Sequence, residues 1–302
     1  MKKKIALLLC STGNEAFAVG NVIIGAKKYL FQNLSAEDYD IIFLTDKLES
    51  KDENALKNIF PRIIIKIYKS PFSKEMLNLR ELNHFSSFTY ARFEAFNLLE
   101  KYEKIFYVDT DIVIQKDISE IINIKSPLVI SYFANKMPVS GNFTKENIDL
   151  VQGYDLNKVS IIAAVFLIND TINNYKIMSK WCYDKAEEYK TNDQSILNLL
   201  IQEFNIETHD LTESYGAYPT SIIAENSHII HAIGPAKFWR GTYNKEWEEN
   251  NKIWIEAGGN ITYEENAKKR KQIDKIVWFI PTFKLRDKVR RYLLKKIGLT
   301  GR

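Results

Sequence analysis

The chain is poor in the residues that mark fibrous or stapled folds. Seven of its 302 residues are proline and twelve are glycine, which excludes a collagen-like or linker-dominated polymer. Its two cysteines, Cys10 and Cys182, cannot make a disulfide framework or, alone, a structural zinc site. Both fall in apolar periodic segments. Packing is therefore the expectation for each, with a bridge as the lesser alternative and a reducing compartment as the reading. No apolar run approaches the ~20 residues of a membrane span; Ile161 to Ile168 is the longest clean one. Met1-Lys2-Lys3-Lys4 followed by Ile5 to Leu9 imitates a signal peptide. Its apolar part is too short, and Cys10 comes too early for a lipoprotein site, so it reads as a buried first strand. A strong excess of one charge is missing as well. The formal charge of +4 is too small to argue for nucleic acid as a partner.

What is present is globular: 45% hydrophobic and 26% charged residues, at a length that suits one large α/β domain or two modest ones. Five Trp, 16 Tyr and 17 Phe supply ample surface for stacking on bases or sugars. Charge is distributed unevenly. Lys268 to Arg302 carries a net +11, which leaves −7 on the rest of the chain. A slightly acidic body with a basic tail suggests two jobs.

Short runs rich in Ile, Val, Phe and Leu occur at Lys4–Cys10, Ile41–Thr45, Arg62–Tyr68, Lys104–Val108, Leu128–Phe133 and Ser160–Ile168. They read as strands buried on both faces. Helical spacing occupies Ala16–Phe31, Lys51–Ile59, Ser87–Leu99, Ile172–Tyr189 and Asp193–Phe204. The alternation predicts an α/β fold with a largely parallel sheet covered by helices. Ligands in such folds bind beyond the carboxyl ends of the strands.

At one such end stands Tyr107-Val108-Asp109-Thr110-Asp111-Ile112-Val113. Alternate residues of an extended chain share a face, so Asp109 and Asp111 are expected to project together, about 6.6 Å apart. Two carboxylates beside an apolar core repel each other and are costly to desolvate. A hard divalent cation between them, magnesium or manganese, removes both penalties. The alternative is a turn with solvated aspartates. Further on, Ser227 to Trp239 reads as a short strand entering a glycine turn. His228 and His231 face opposite ways in a strand, and His231 adjoins the turn. Its imidazole is the candidate third ligand and favours manganese; the alternative is a core histidine. Gly234 lets backbone approach a ligand, Lys237 offers a point charge for phosphate, and Trp239 closes the pocket wall.

Taken together, these residues resemble the family 8 glycosyltransferases, the retaining, nucleotide-sugar-dependent group. Four stretches carry the likeness: Phe88-Thr89-Tyr90-Ala91-Arg92, the Tyr107–Val113 stretch, Asn192-Asp193-Gln194-Ser195-Ile196-Leu197-Asn198, and His231 to Trp239. The resemblance implies a GT-A fold, with a Rossmann-like nucleotide-binding mixed sheet and helices on both faces over residues 1–260. It implies that Asp109, Asp111 and His231 hold Mn2+, with Mg2+ as the alternative, against the diphosphate of UDP-galactose or UDP-glucose. Lys237 and the Gly234 turn would contact that diphosphate, and Thr110 would belong to the cofactor-binding set. Arg92 would contact the donor and brace Asp109, and Asp193 and Gln194 would face the donor sugar. Thr12 and Asn14, in the loop after the first strand, would hold the uridine, and His84 would lie near the acceptor cleft. The acceptor implied is a glycan hydroxyl, on lipid-linked surface polysaccharide or lipooligosaccharide. A catalytically silent nucleotide-sugar or glycan-binding protein of the same fold is the alternative. Three departures stand out. Relatives usually carry Asn-Ala-Gly where this chain has Ile161-Ile162-Ala163-Ala164, an aromatic where it has Glu15, and proline where it has Phe238.

Residues 261–302 read as a basic amphipathic helical tail. Leu285, Val289, Tyr292, Leu293 and Ile297 follow helical spacing, basic residues fill most other positions, and Thr282 is an N-cap candidate. Such a helix is expected to lie on an anionic membrane surface, which places the protein in the cytoplasm, peripheral on the inner face of the plasma membrane. The alternative is a helix packed on its own domain.

Overall fold

The computed structural model describes residues 2–72, 87–234, 236–297 and 299. Strands β1 (Lys3–Cys10), β2 (Tyr39–Thr45), β3 (Ile64–Ile67) and β4 (Tyr102–Val108) lie parallel in the order β3-β2-β1-β4. The chain leaves this sheet for the short β5 (Ile112–Ile114) and returns to it as β6 (Leu128–Tyr132) and β7 (Ile161–Asn169). β7 runs antiparallel to both β4 and β6, and β8 (Thr208–Asp210) closes the far edge, completing a seven-stranded mixed sheet. A second, three-stranded sheet joins β5 to β10 (Ile229–His231) and β9 (Tyr215–Ala217).

The alternation along β1 sorts side chains into two cores. Ile5, Leu7 and Leu9 enter one, Ala6, Leu8 and Cys10 the other, as a strand covered on both faces requires. The first core is covered by α1 (Ala16–Tyr29) and α2 (Ser50–Ile59). The second is covered by α3 (Glu94–Leu98), α4 (Tyr175–Tyr189) and α5 (Asp193–Glu203). Returning to the first core, α6 (Lys245–Glu256) presses Trp254 so closely on α1 that a Cβ at Gly20 would lie 2.4 Å from the ring. Cys10 and Cys182 are both buried and unbridged, so packing is their role, as their apolar settings predict.

Two expected helices differ in detail. Ser87–Phe93 is a 3-10 helix, and only Glu94–Leu98 is α-helical. Phe88, Tyr90, Ala91 and Phe93 are all buried, so packing on several sides overrides the 3.6-residue period. The segment expected from Ile172 begins its helix at Tyr175, after Asn174 takes a left-handed turn at φ 63°.

Beyond the main body lie α7 (Thr262–Val277) and α8 (Phe283–Lys296), with Thr282 capping α8 by accepting from the Leu285 N–H. Tyr263 anchors the start of α7 by stacking on Phe17 at 3.9 Å. Val289 and Leu293 of α8 pack with Ile273, Val277 and Leu294 in a small separate cluster. Leu285, Tyr292 and Ile297 stay exposed. The apolar stripe of the tail is thus divided between α7 and solvent. Among the described residues no helix is long and apolar enough to cross a membrane.

Candidate active site

The carboxyl ends of β1, β2 and β4 lie side by side, and the candidate residues gather there. Asp109 and Asp111 do not share one extended strand, as the sequence suggests. β4 ends at Val108 and residues 109–111 turn into β5. The turn exists because the two ends belong to different sheets. The Asp109 N–H donates to the Ala164 carbonyl at 2.8 Å, while the Asp111 carbonyl accepts from the Ala232 N–H at 2.9 Å. The carboxylates therefore converge by a change of sheet and not by strand periodicity.

Pairing of β10 with β5 sets His231 opposite Ile112, beside Asp111. His231 Nε2 lies 3.2 Å from Asp111 Oδ1 and 3.9 Å from Asp109 Oδ2. One ligand atom from each of the three residues lies within 4.8 Å of the others. His228 points elsewhere, stacked on Tyr215 at 5.0 Å and bonded to Ser214. Each carboxylate is anchored through one oxygen. Asp109 Oδ1 accepts from the Tyr107 hydroxyl at 2.7 Å and from Arg92 Nη2 at 2.9 Å, and Asp111 Oδ2 pairs with Lys237. Burial opposes ionisation of Asp111, but His231 and Lys237 together outweigh it and hold the carboxyl below its usual pKa. Burial likewise disfavours the imidazolium, yet Asp111 and Asp109 raise the His231 pKa above its ordinary value. Two acidic oxygens and one imidazole within one ion's reach form a donor set that suits a divalent cation.

Arg92 is the buried hub behind this cluster. Its guanidinium reaches Asp109, Asp193 Oδ2 at 3.0 Å and the carbonyls of Ala163 and Thr89 at 2.6 and 2.8 Å. Asp193 opens α5, and burial raises its pKa against the lowering effect of Arg92. The adjacent Gln194 accepts from the Ala163 N–H at 3.2 Å and donates to Asn142 at 2.9 Å. Ala163 can serve both because β7 bulges there. Its pairing with β6 jumps from Phe166 to Ile162 opposite the consecutive Ile130 and Ser131. Bulges often adjoin active sites for this reason: they release backbone groups from the ladder.

The loop after β1 sits beside the same turn. Thr12 is half-buried there and Asn14 is exposed. Glu15 bonds Ser11 and accepts from the Thr110 hydroxyl at 3.4 Å. Gly234 lies three residues past His231 with φ 70°, and no atom lies within 4 Å of where its Cβ would be. Trp239 meets Phe17 edge-on at 5.2 Å, with the Lys237 ammonium 5.8 Å from its ring centre. His84 and Pro235 lie outside the described residues. The structure therefore brings Arg92, Asp109, Asp111, Asp193, His231 and Lys237 into one linked cluster, with Thr110 and Gln194 at its sides. Thr12, Asn14 and Gly234 flank it.

A model of the family described as glycosyl transferase family 8 matches residues 9–242. The chain belongs to that family. No curated protein matches it by sequence. Among solved structures, this family 8 chain is similar to the bifunctional glycosyltransferase WbbM, at 16% identity and a TM-score of 0.60, over 89% of this chain and 52% of WbbM. It thus spans about half the length of WbbM. It is also similar to the galactosyltransferase LgtC, solved with donor and acceptor sugar analogues, at 16% identity and a TM-score of 0.57, over 83% of this chain and 95% of LgtC. GlyE of Streptococcus pneumoniae TIGR4 follows at 14% identity and 0.51, over 90% and 64%. At these identities the likeness establishes the fold, which is GT-A.

Within this family 8 framework three contributors to the site escaped the sequence reading. Tyr107 is two residues before Asp109 on the same strand face, a position that its period-two spacing marks. Asp46, at the carboxyl end of β2, accepts from the Gly13 N–H at 2.9 Å and so shapes the loop that carries Thr12 and Asn14. The rule that ligands gather at strand ends points to it. Asn142 carries no such signal. Phe238, in place of the usual proline, is buried and stacks on Trp247 at 5.1 Å.

Proposed function

We propose that this glycosyltransferase moves galactose or glucose from the UDP-sugar to a glycan hydroxyl, with Mn2+ and with retention of configuration. The convergence of Asp109, Asp111 and His231, with Lys237 against Asp111, carries the reading. When bound, the ion supplies Lewis-acid stabilisation of the diphosphate leaving group. Lys237 adds a buried positive charge where the leaving phosphate gains negative charge. Thr12, Asn14 and Thr110 line the nucleotide side, and the open Gly234 turn lets backbone approach the diphosphate. Asp193 and Gln194 lie on the sugar side. Gln194 is an amide, a poor nucleophile, so it orients and stabilises the cationic sugar. The acceptor oxygen bonds to the anomeric carbon on the face that UDP leaves, and the departing phosphate takes the acceptor's proton.

The test is UDP release from a panel of UDP-sugars with and without manganese. UDP-galactose or UDP-glucose is expected to give the fastest manganese-dependent signal. UDP binding with no release from any donor and acceptor tried would select the silent binding protein instead.

Residues 261–302 are proposed as the membrane-facing element, with 1–260 as the catalytic domain. The α7–α8 corner exposes Trp278 at 69%, Phe279 at 86% and Phe283 at 80%, beside the basic α8. Aromatics at a basic corner suit the interface of an anionic leaflet, and so a cytoplasmic site on the inner face of the plasma membrane. Replacing these three aromatics by serine is expected to cut cosedimentation with phosphatidylglycerol vesicles at least tenfold while leaving UDP affinity unchanged. Equal cosedimentation of variant and parent would remove the membrane role.

A further inference from the structure

Gln194 is held at both ends, and the partners at those ends fix which way its amide points. The Ala163 N–H can only donate, so the group facing it is the Gln194 carbonyl oxygen, at 3.2 Å. The Gln194 amino group therefore faces Asn142 Oδ1, at 2.9 Å. Asn142 is oriented by the same logic. Its Nδ2 donates to the Val139 carbonyl at 3.1 Å, an atom that can only accept, and to Ser160 Oγ at 2.8 Å. The main-chain carbonyl of Asn142 accepts from Ser195 Oγ at 3.1 Å, beside Gln194 on α5. The 3-10 turn Val139–Asn142 that presents it is itself tied to the strand entry, with Val139 N–H on the Lys158 carbonyl at 2.8 Å and Ser140 N–H on that of Leu156 at 2.9 Å. No side chain at the start of β7 can do this work: Ile161, Ile162, Ala163 and Ala164 have no polar side-chain atom.

We infer that Asn142 is a positioning residue for glycosyl transfer, one that clamps the Gln194 amide with its carbonyl oxygen toward Ala163 and the sugar side of the site. The inference rests on the sugar-side role of Gln194 proposed above. A segment without any recognisable motif thereby supplies the amide partner that the apolar strand lacks. Released from Asn142, Gln194 is free to rotate, and small displacements of a positioned group cost rate more than binding.

The test combines kinetics and spectroscopy on the full chain. Asn142→Ala is expected to lower kcat for UDP release about tenfold, with KM for the UDP-sugar within twofold. Asn142→Asp keeps an acceptor oxygen for Gln194 but loses the Nδ2 donor to the Val139 carbonyl, and is expected to recover only part of that loss. In a Gln194→Ala background, Asn142→Ala is expected to cost nothing more, because it acts through the missing amide. Independent losses in the two variants, or unchanged kcat in Asn142→Ala, would overturn the inference. The side-chain amide signals of Gln194, assigned by their disappearance in Gln194→Glu, give a readout free of turnover. They are expected to shift in Asn142→Ala and to shift less in Asn142→Asp, which retains an acceptor; unmoved signals in Asn142→Ala overturn the clamp. Wild-type protein that releases no UDP from any donor would defeat the transfer reading alone, and the amide signals would then decide the clamp by themselves.

Discussion

Asp111→Asn is expected to abolish manganese-dependent UDP release to below about one hundredth of the parental rate. The substitution keeps the shape of the side chain but removes a charged ligand oxygen. It also leaves His231 and Lys237, both buried against that carboxylate, with one anion fewer to face. Loss of a single contact to a developing charge is worth on the order of 3 kcal/mol, about a hundredfold, and here the ion's own affinity falls too. Manganese titration and UDP release on the same preparation measure the two effects. Retention of both within threefold would sink the three-residue metal site and the reading built on it.

Arg92→Met should produce the largest loss of stability. Arg92 is 5% exposed and bonds Asp109, Asp193 and two carbonyls. Removing one partner of a buried ion pair typically costs about 3–5 kcal/mol, because the other charge stays behind uncompensated. For a chain of this size that corresponds to roughly 10 °C in the melting temperature. The deficit should also depend on pH. Burial, helped by the neighbouring Asp109, raises the Asp193 pKa, and Arg92 and the backbone N–H groups of residues 193 and 194 oppose that rise; the variant loses the strongest of the opposing groups, so the carboxyl climbs further. A carboxyl whose folded pKa exceeds its unfolded one, about 3.9, stabilises the fold when protonated. That contribution is complete below the unfolded value and disappears as pH rises through the folded one. The gap between variant and parent should therefore be widest near about pH 8 and narrow toward about pH 5. Thermal melts across that range check it, and a gap that does not change with pH would refute the account of Asp193.

Asp109, Asp111 and His231 were legible as candidates because each stands at the end of an apolar run. Strand-end position exposes Asp109 and Asp111, and the odd spacing of His228 and His231 leaves only one imidazole for the site. The path between them was not legible. Residues 109–111 look like continuous strand, since Ile112 to Ile114 are as apolar as the β4 residues before them. Which sheet they join depends on β10, more than a hundred residues later. Separation along the chain hides Asn142 too, whose bond to Gln194 spans 52 positions and leaves no local periodicity. Ser87–Phe93 shows the opposite failure. Its apolar residues fit a helix pattern, but burial on several sides selects the tighter turn.

The main chain of β7 has one more implication, for how such enzymes diverge. At Ala163 and Ala164, the groups that meet Arg92, Gln194 and Asp109 are peptide N–H and C=O, which nearly every amino acid possesses. Mutation can rewrite those letters without erasing the contacts, provided the replacement is small enough for the space and is not proline at Ala163, which would delete the amide hydrogen. A signature that relatives spell in side chains can thus vanish from the sequence while the contacts that hold Arg92, Gln194 and Asp109 persist.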